Sequence, residues 1–174
     1  LAMVDVGAHL GDCCLWAAAR FGTARVRCHA FEQEPAVAQA IEESIALNGF
    51  QHAVKVHNRS VGLEAPAVPL DALLASWDHV DLVKVHVDGS ELLVLASMLA
   101  ALRARKVVAC LLRTGQARVA DWLARNALPY VLGANQTSKD TLIVLDEWRL
   151  QLAGGTPHSQ NARGMPRRKR TAIA

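Results

Sequence analysis

The run Val4-Asp5-Val6-Gly7-Ala8-His9-Leu10-Gly11-Asp12 reads as an apolar strand, a turn carrying two glycines, and the start of a helix. Gly7 lets the backbone turn tightly without a Cβ, and Gly11 lets a ligand approach the helix start. N–H groups exposed at such a turn favour a carboxylate or a phosphate. Asp5 is a candidate acceptor for a ligand amino group. The spacing is G-x-x-x-G, which is neither the G-x-G-x-x-G of dinucleotide-binding folds nor a P-loop with its Gly-Lys-Ser/Thr. Taken alone, the run is equally well a plain strand–helix turn, so the flanking sequence has to decide.

Downstream, strand and helix signals alternate almost without interruption. A helix is expected over 12–20, with Asp12 as its N-cap and Gly22 as its stop. A second strand follows over 25–31. Pro35 suits a helical first turn, and Val37, Ala38, Ile41 and Ile45 supply the apolar stripe of that helix. Residues 53–57 form a weaker strand, 70–77 a short helix, and 80–87 the clearest strand in the chain. Ser90 is a candidate cap for a helix whose Leu92, Leu95, Met98, Leu99 and Leu102 face a core. A fifth strand over 106–112 and a helix over about 114–126 follow. Two short strands, 129–132 and 141–145, are joined by a polar loop and should be antiparallel. Repeated strand–helix–strand units imply right-handed crossovers and a mostly parallel sheet with helices on both faces. The expected fold class is therefore α/β and Rossmann-like, with seven strands, the last of them antiparallel.

Composition agrees. The 174 residues are 52% hydrophobic, enough for one domain with a real core, and only 5% aromatic. No apolar run reaches the roughly 20 residues that span a bilayer, so no membrane segment is expected. The chain opens on Leu1, and 1–6 already reads as a core strand, which points to a piece of a longer protein. Of nineteen basic residues, five lie in 151–174 (Arg163, Arg167, Arg168, Lys169 and Arg170), leaving fourteen against sixteen acidic ones on the rest. The basic character thus belongs to the tail. A nucleic-acid-binding face on the folded body is not expected. A domain over 1–150 and a disordered tail over 151–174, rich in Gly, Ser, Asn, Pro and basic residues, is the expected organisation. The four cysteines, Cys13, Cys14, Cys28 and Cys110, form no C-x-x-C pair, so neither zinc nor another bound metal is expected. All sit in apolar stretches and read as structural free thiols of a reducing compartment, the cytoplasm.

Two further stretches carry chemistry. In Ala30-Phe31-Glu32-Gln33-Glu34-Pro35, an acidic side chain ends the second strand about twenty residues after the glycine turn, the spacing at which a carboxylate accepts both hydroxyls of a ribose. The alternative, a partner for the next helix dipole, fits Glu34 better than Glu32. In Lys84-Val85-His86-Val87-Asp88-Gly89-Ser90-Glu91, strand alternation puts Lys84, His86 and Asp88 on one face and the valines on the other. Three polar residues near the C-terminal end of a central strand are costly unless they pair or line a pocket. An internal ion pair of Lys84 with Asp88 or Glu91 is the competing account. No G-x-S-x-G, H-x-x-x-H or H-E-x-x-H is present. The four tryptophans fit core packing.

These stretches, in this order, resemble the FkbM family of methyltransferases, with its V-D-V-G-A-N-x-G opening, A-F-E-P, L-N-G and K-I-D-V-E-G-S-E segments. The matching residues are 4–11, 30–32 with Pro35, 47–49 and 84–91, and Val68 to Leu73 resembles the family's T-L-D-x-L segment. The resemblance spans about 4–145. It implies a class I methyltransferase fold and methyl transfer from S-adenosylmethionine to a hydroxyl of a small molecule or glycan. By position, Asp5, Gly7 and Gly11 would hold the methionine part, Glu32 would bind the ribose, residues 58–61 (Asn58, Ser60 and Val61 among them) would lie near the adenine, and His9 and Gln33 are further cofactor-binding candidates. His9 stands where the family has Asn, His86 where it has Asp, Asp88 where it has Glu, and Arg113 where a Glu is common. His86 is the expected general base, with Asp88 orienting it or acting instead, and Lys84 beside them. These departures keep open a binding module of the same fold that has lost its chemistry. An NAD-dependent oxidoreductase is a third reading, opposed by the glycine spacing and by the absence of Tyr-x-x-x-Lys.

Overall fold

The computed structural model describes residues 1–133 and 139–148. Seven strands form one sheet: β1 (Ala2–Val6), β2 (Arg27–Phe31), β3 (Val54–His57), β4 (Val80–Val85), β5 (Val107–Leu112), β6 (Tyr130–Leu132) and β7 (Thr141–Leu145). Their order is β3-β2-β1-β4-β5-β7-β6. The first five run parallel, and β7 is antiparallel to both β5 and β6. The chain steps outward from β1 to β3, then returns to the other side of β1 to lay down β4. That reversal leaves a crevice at the carboxyl ends of β1 and β4, where ligands bind in open α/β sheets.

Helices cover both faces: α1 (Asp12–Phe21), α2 (Pro35–Asn48), α3 (Leu70–Leu74), α4 (Glu91–Ala96), α5 (Leu99–Arg103) and α6 (Gln116–Arg125). Strand alternation splits the core accordingly. Val4, Val6, Val83 and Val85 pack with the apolar faces of α3 to α6, while Met3, Cys28 and Ala30 pack with Cys14, Ala17 and Ala18 of α1 and Ile41 and Ile45 of α2.

Several local expectations change. Gly11, not Asp12, caps α1; at φ 74° it adopts the left-handed conformation that favours glycine. The single helix expected after Ser90 is two. The Ser97 hydroxyl bonds back to the Val94 carbonyl, and the Ser97 carbonyl is taken by the Asp71 N–H. The Asp71 carboxylate then caps α5 by accepting the N–H groups of Ala100 and Ala101 at 2.9 and 2.8 Å. The reading of four free thiols is also corrected. Cys14 on the inner side of α1 lies over Cys28 on β2, Cα to Cα 5.9 Å, and the two form a disulfide. Cys13 and Cys110 are free, and burial pushes both thiols up from their ordinary pKa. Among the described residues, no helix is long and apolar enough to cross a membrane. The tail expected over 151–174 lies outside the described residues.

Candidate active site

The crevice holds a cavity of about 440 Å³, within the size range of small-molecule sites. Its wall comes from the ends of four adjacent strands: Val6, Gly7 and His9 after β1, Phe31, Glu32 and Gln33 after β2, Arg59, Ser60 and Val61 after β3, and His86, Val87, Asp88 and Ser90 after β4. An apolar cavity of about 240 Å³ between α3 and α5, lined by Asp71, Leu74 and Lys106 among others, lies away from these residues.

The glycine turn is built for close approach. Gly7, His9 and Gly11 all have positive φ, at 72°, 51° and 74°. Histidine, with asparagine, is among the side chains that tolerate this region. His9 therefore replaces the Asn of the resembling family at no large backbone cost. A Cβ on Gly7 would fall 1.9 Å from the His86 carbonyl oxygen, so the first loop packs directly on the end of β4. The Gly7 and Ala8 N–H groups both donate to the Phe31 carbonyl at 3.0 Å, tying it to the end of β2 as well.

Glu32 faces this turn. Its Oε2 accepts the His9 N–H and its Oε1 accepts the Glu34 N–H, both at 2.9 Å. Two backbone donors thus fix the carboxylate, and each oxygen keeps a lone pair for a further donor. Asn58 supports this from behind. Its amide donates to the Glu32 and Gln33 carbonyls at 3.0 and 3.1 Å, and Asn58 is not itself among the lining residues.

Asp5 and Lys84 lie beneath the cavity rather than in its wall. Lys84 Nζ sits 2.8 Å from Asp5 Oδ1 and donates to the Gly7 carbonyl at 2.9 Å. The competing ion pairs of Lys84 with Asp88 or Glu91 do not form. Asp5 is fully buried; its Oδ1 is paired with Lys84, and its Oδ2 has no hydrogen-bond donor among the described residues. Burial raises its pKa from 3.8 to about 6, with Lys84 pulling the other way and Asp12 and Glu32 adding to the rise. A buried carboxylate under a glycine turn, only partly offset by Lys84, favours a ligand ammonium group above it.

At the end of β4 the strand stops at Val85, two residues earlier than expected, although the His86 N–H still donates to the Val6 carbonyl. Asp88 and Gly89 have positive φ, 45° and 101°. The buried Glu91 carboxylate accepts the N–H groups of Gly89 and Val87 at 3.2 and 3.4 Å, holding that turn together. His86, Val87 and Asp88 all line the cavity while Lys84 does not, so the alternation expected to separate the polar residues from the valines does not hold beyond Val85; the turn at Asp88 and Gly89 brings both sets to the site. Arg113 is exposed at the end of β5 and does not line it.

Of the residues singled out from sequence, Gly7, His9, Glu32, Gln33, Ser60, Val61, His86 and Asp88 meet in one cavity. Asp5, Gly11, Asn58 and Lys84 support it from outside. Sequence reasoning missed Phe31 and Ser90 in the wall, and a histidine pair, His29 and His57, behind Phe31. Alternation within β2 and β3 was the available signal for that pair. Pairing the two strands needed their register, Phe31 opposite His57.

The strand order, the helices on both faces and the position of this cavity define the fold of the class I methyltransferases. Solved structures sharing it include the methyltransferase FkbM from Methylobacillus flagellatus KT, with a TM-score of 0.62 and 19% identity over 82% of this chain and 43% of that one. The N-terminal domain of human METTL16 in complex with SAH has a TM-score of 0.56 and 17% identity, over 82% of this chain and 59% of that one. Streptococcus pneumoniae Sp1610, a candidate tRNA (m1A22) methyltransferase, in complex with S-adenosyl-L-methionine, has a TM-score of 0.58 and 18% identity, over 82% and 63%. At these identities the likeness is one of fold. The chain spans between 43% and 63% of the length of these three proteins. No protein-family model and no curated protein matches it.

Proposed function

We propose that the chain is an S-adenosylmethionine-dependent methyltransferase domain of FkbM type that methylates a hydroxyl of a small molecule or glycan. The observation that carries this is the Glu32 carboxylate, held by the His9 and Glu34 N–H groups and facing the Gly7–Gly11 turn across a cavity of about 440 Å³. S-adenosylmethionine supplies an electrophilic methyl on a sulfonium. Glu32 accepts the ribose hydroxyls on its free lone pairs, with Gln33 beside it. Gly7 leaves room for the methionine part, and the Asp5 carboxylate, ion-paired with Lys84 beneath the turn, favours its ammonium group at that end of the cavity. Arg59, Ser60 and Val61 border the adenine.

The wall after β4 would then serve the acceptor. In-line displacement requires the acceptor oxygen to be aligned with the methyl in a site that excludes water. His86 takes the hydroxyl proton as general base, and Asp88 orients it or acts in its place. Histidines aside, Phe31 is the one aromatic side chain among the described residues of the wall, and it lies at the β2 end. A flipped nucleobase is commonly stacked on aromatic or apolar side chains. The polar end at His86, Asp88 and Ser90 suits a hydroxyl better. The exchange of the resembling family's acidic residues for His86 and Arg113 favours a second reading, a binding module that retains the cofactor site without turnover.

Calorimetry with S-adenosylhomocysteine, beside a methyl-transfer assay over a panel of glycans and hydroxylated small molecules, tests both. The enzyme reading expects binding and methylated product, with turnover lost in His86→Ala and binding of S-adenosylhomocysteine retained. Binding without any product supports the second reading. Absence of binding rejects both.

A further inference from the structure

Behind the Phe31 wall of the cavity lies a stack of side chains with no counterpart in the motifs above. Phe31 lies face to face with His57, ring centroids 4.4 Å apart and 11° between planes. His57 Nε2 is 2.9 Å from His29 Nδ1, so one ring donates the proton that the other accepts. His29 meets Trp77 edge-on at 5.0 Å, and the Arg27 guanidinium closes the stack 3.6 Å over Trp77. Alternation along β2 presents Arg27, His29 and Phe31 on one face, and the parallel register sets His57 of β3 opposite Phe31. His57 is also the last residue of β3. The wall segment Arg59, Ser60 and Val61 starts two residues later, and the His57 carbonyl accepts the Glu32 and Arg59 N–H groups at 3.0 and 2.9 Å.

We propose that His57, held by His29, is a positioning residue for the adenosyl half of the candidate site, setting the Phe31 ring and the 59–61 wall at once. This rests on the reading of the cavity as an adenosyl site. Neither histidine is among the lining residues, so the pair acts through Phe31 and the backbone. The pair is also kept uncharged. Burial, its histidine partner, Lys55 and Arg27 bring His29 down to about 4, and burial with Lys55 and Arg59 lowers His57. A neutral pair preserves its single shared proton and its stacked geometry through the physiological range.

The test is calorimetry at pH 7.5 with two ligands, S-adenosylhomocysteine and 5′-methylthioadenosine. The second carries the adenosyl half without the amino acid part. Losing the ring that packs against Phe31, His57→Ala is expected to weaken both ligands by the same factor of about ten, whereas His57→Phe, which keeps a ring there, stays within about threefold of the parent. Equal losses on both ligands, in a variant whose melting curve shows it fully folded at the assay temperature, mark the adenosyl half; general damage would lower the folded fraction itself. Should His57→Ala not fold, His29→Ala reads the same brace from its outer end, with a loss of about fivefold expected on both ligands. If the parent binds and these variants bind both ligands as tightly as it does, or if only S-adenosylhomocysteine is weakened, the brace is overturned and the site reading stands. If the parent binds neither ligand, the site reading falls, and this inference with it.

Discussion

Replacing Gly7 by alanine puts the geometry of the crevice under direct load. The new Cβ would lie 1.9 Å from the His86 carbonyl oxygen and 2.9 Å from its carbon, and the residue would have to keep a φ of 72°. The left-handed backbone costs an L-residue about 1 kcal/mol, and displacing a packed neighbour about 1–3 more, for a loss of about 2–4 kcal/mol. In a domain of this size that lowers the melting temperature by roughly 5–15 °C. The atom displaced is main chain and belongs to the wall bearing His86, so the cavity itself must deform. S-adenosylhomocysteine affinity should therefore fall by at least about tenfold. Gly49→Ala is the control. Its φ is 70° in the same left-handed region, but nothing lies within 4 Å of its would-be Cβ, so it should cost about 1 kcal/mol and leave ligand affinity unchanged. Melting curves and calorimetry on both variants read the comparison. Equal melting temperatures for the two, with parental affinity in Gly7→Ala, would refute the claim that the first loop packs on the end of β4.

Three other outcomes follow from the same structure. The Cys14–Cys28 bridge closes α1 into a loop with a sequence separation of 14, and chain entropy predicts that reducing it lowers unfolding free energy by about 3 kcal/mol, measurable by urea titration with and without a dithiol. Asp5 is expected to shape the pH profile. Its folded pKa of about 6 lies above the ordinary 3.8, so the native state holds a proton that the unfolded chain has released. This group makes the fold progressively less stable as pH rises from about 4 to about 6. Asp5→Asn should remove that slope in denaturation curves taken across the window, and the parent should bind S-adenosylhomocysteine more tightly at pH 7 than at pH 5. Asp71→Ala strips two N–H groups at the start of α5 of their acceptor and should lower stability by about 1–2 kcal/mol, with ligand affinity unchanged because Asp71 lies outside the crevice.

What the sequence made legible was whatever local patterning controls. Alternation in 80–85 and the glycines at 7 and 11 announced strand, turn and helix, and the carboxylate at Glu32 sat at the spacing a strand–helix–strand unit requires. The mostly parallel sheet with its antiparallel end followed from the repeated strand–helix–strand units, but the strand order came only with the structure. Features set by long-range register were hidden. The Cys14–Cys28 contact depends on how α1 lies over β2, and the His29–His57 pair on how β2 aligns with β3. Lys84 read as a catalytic candidate because alternation fixes a face and not a depth. Its ammonium instead turns down to Asp5 and the Gly7 carbonyl. Asn58 likewise sat at the right place in the chain, yet its amide is directed at the Glu32 and Gln33 carbonyls rather than at the cavity.

The structure of the protein bound to S-adenosylhomocysteine is the most direct measurement of whether the β1 turn and the end of β2 grip the two parts of one nucleoside ligand. The ribose hydroxyls should be found within hydrogen-bond distance of the Glu32 oxygens, with the ligand ammonium over Asp5. A ligand seated elsewhere, or one whose ribose makes no contact with Glu32, would contradict the account.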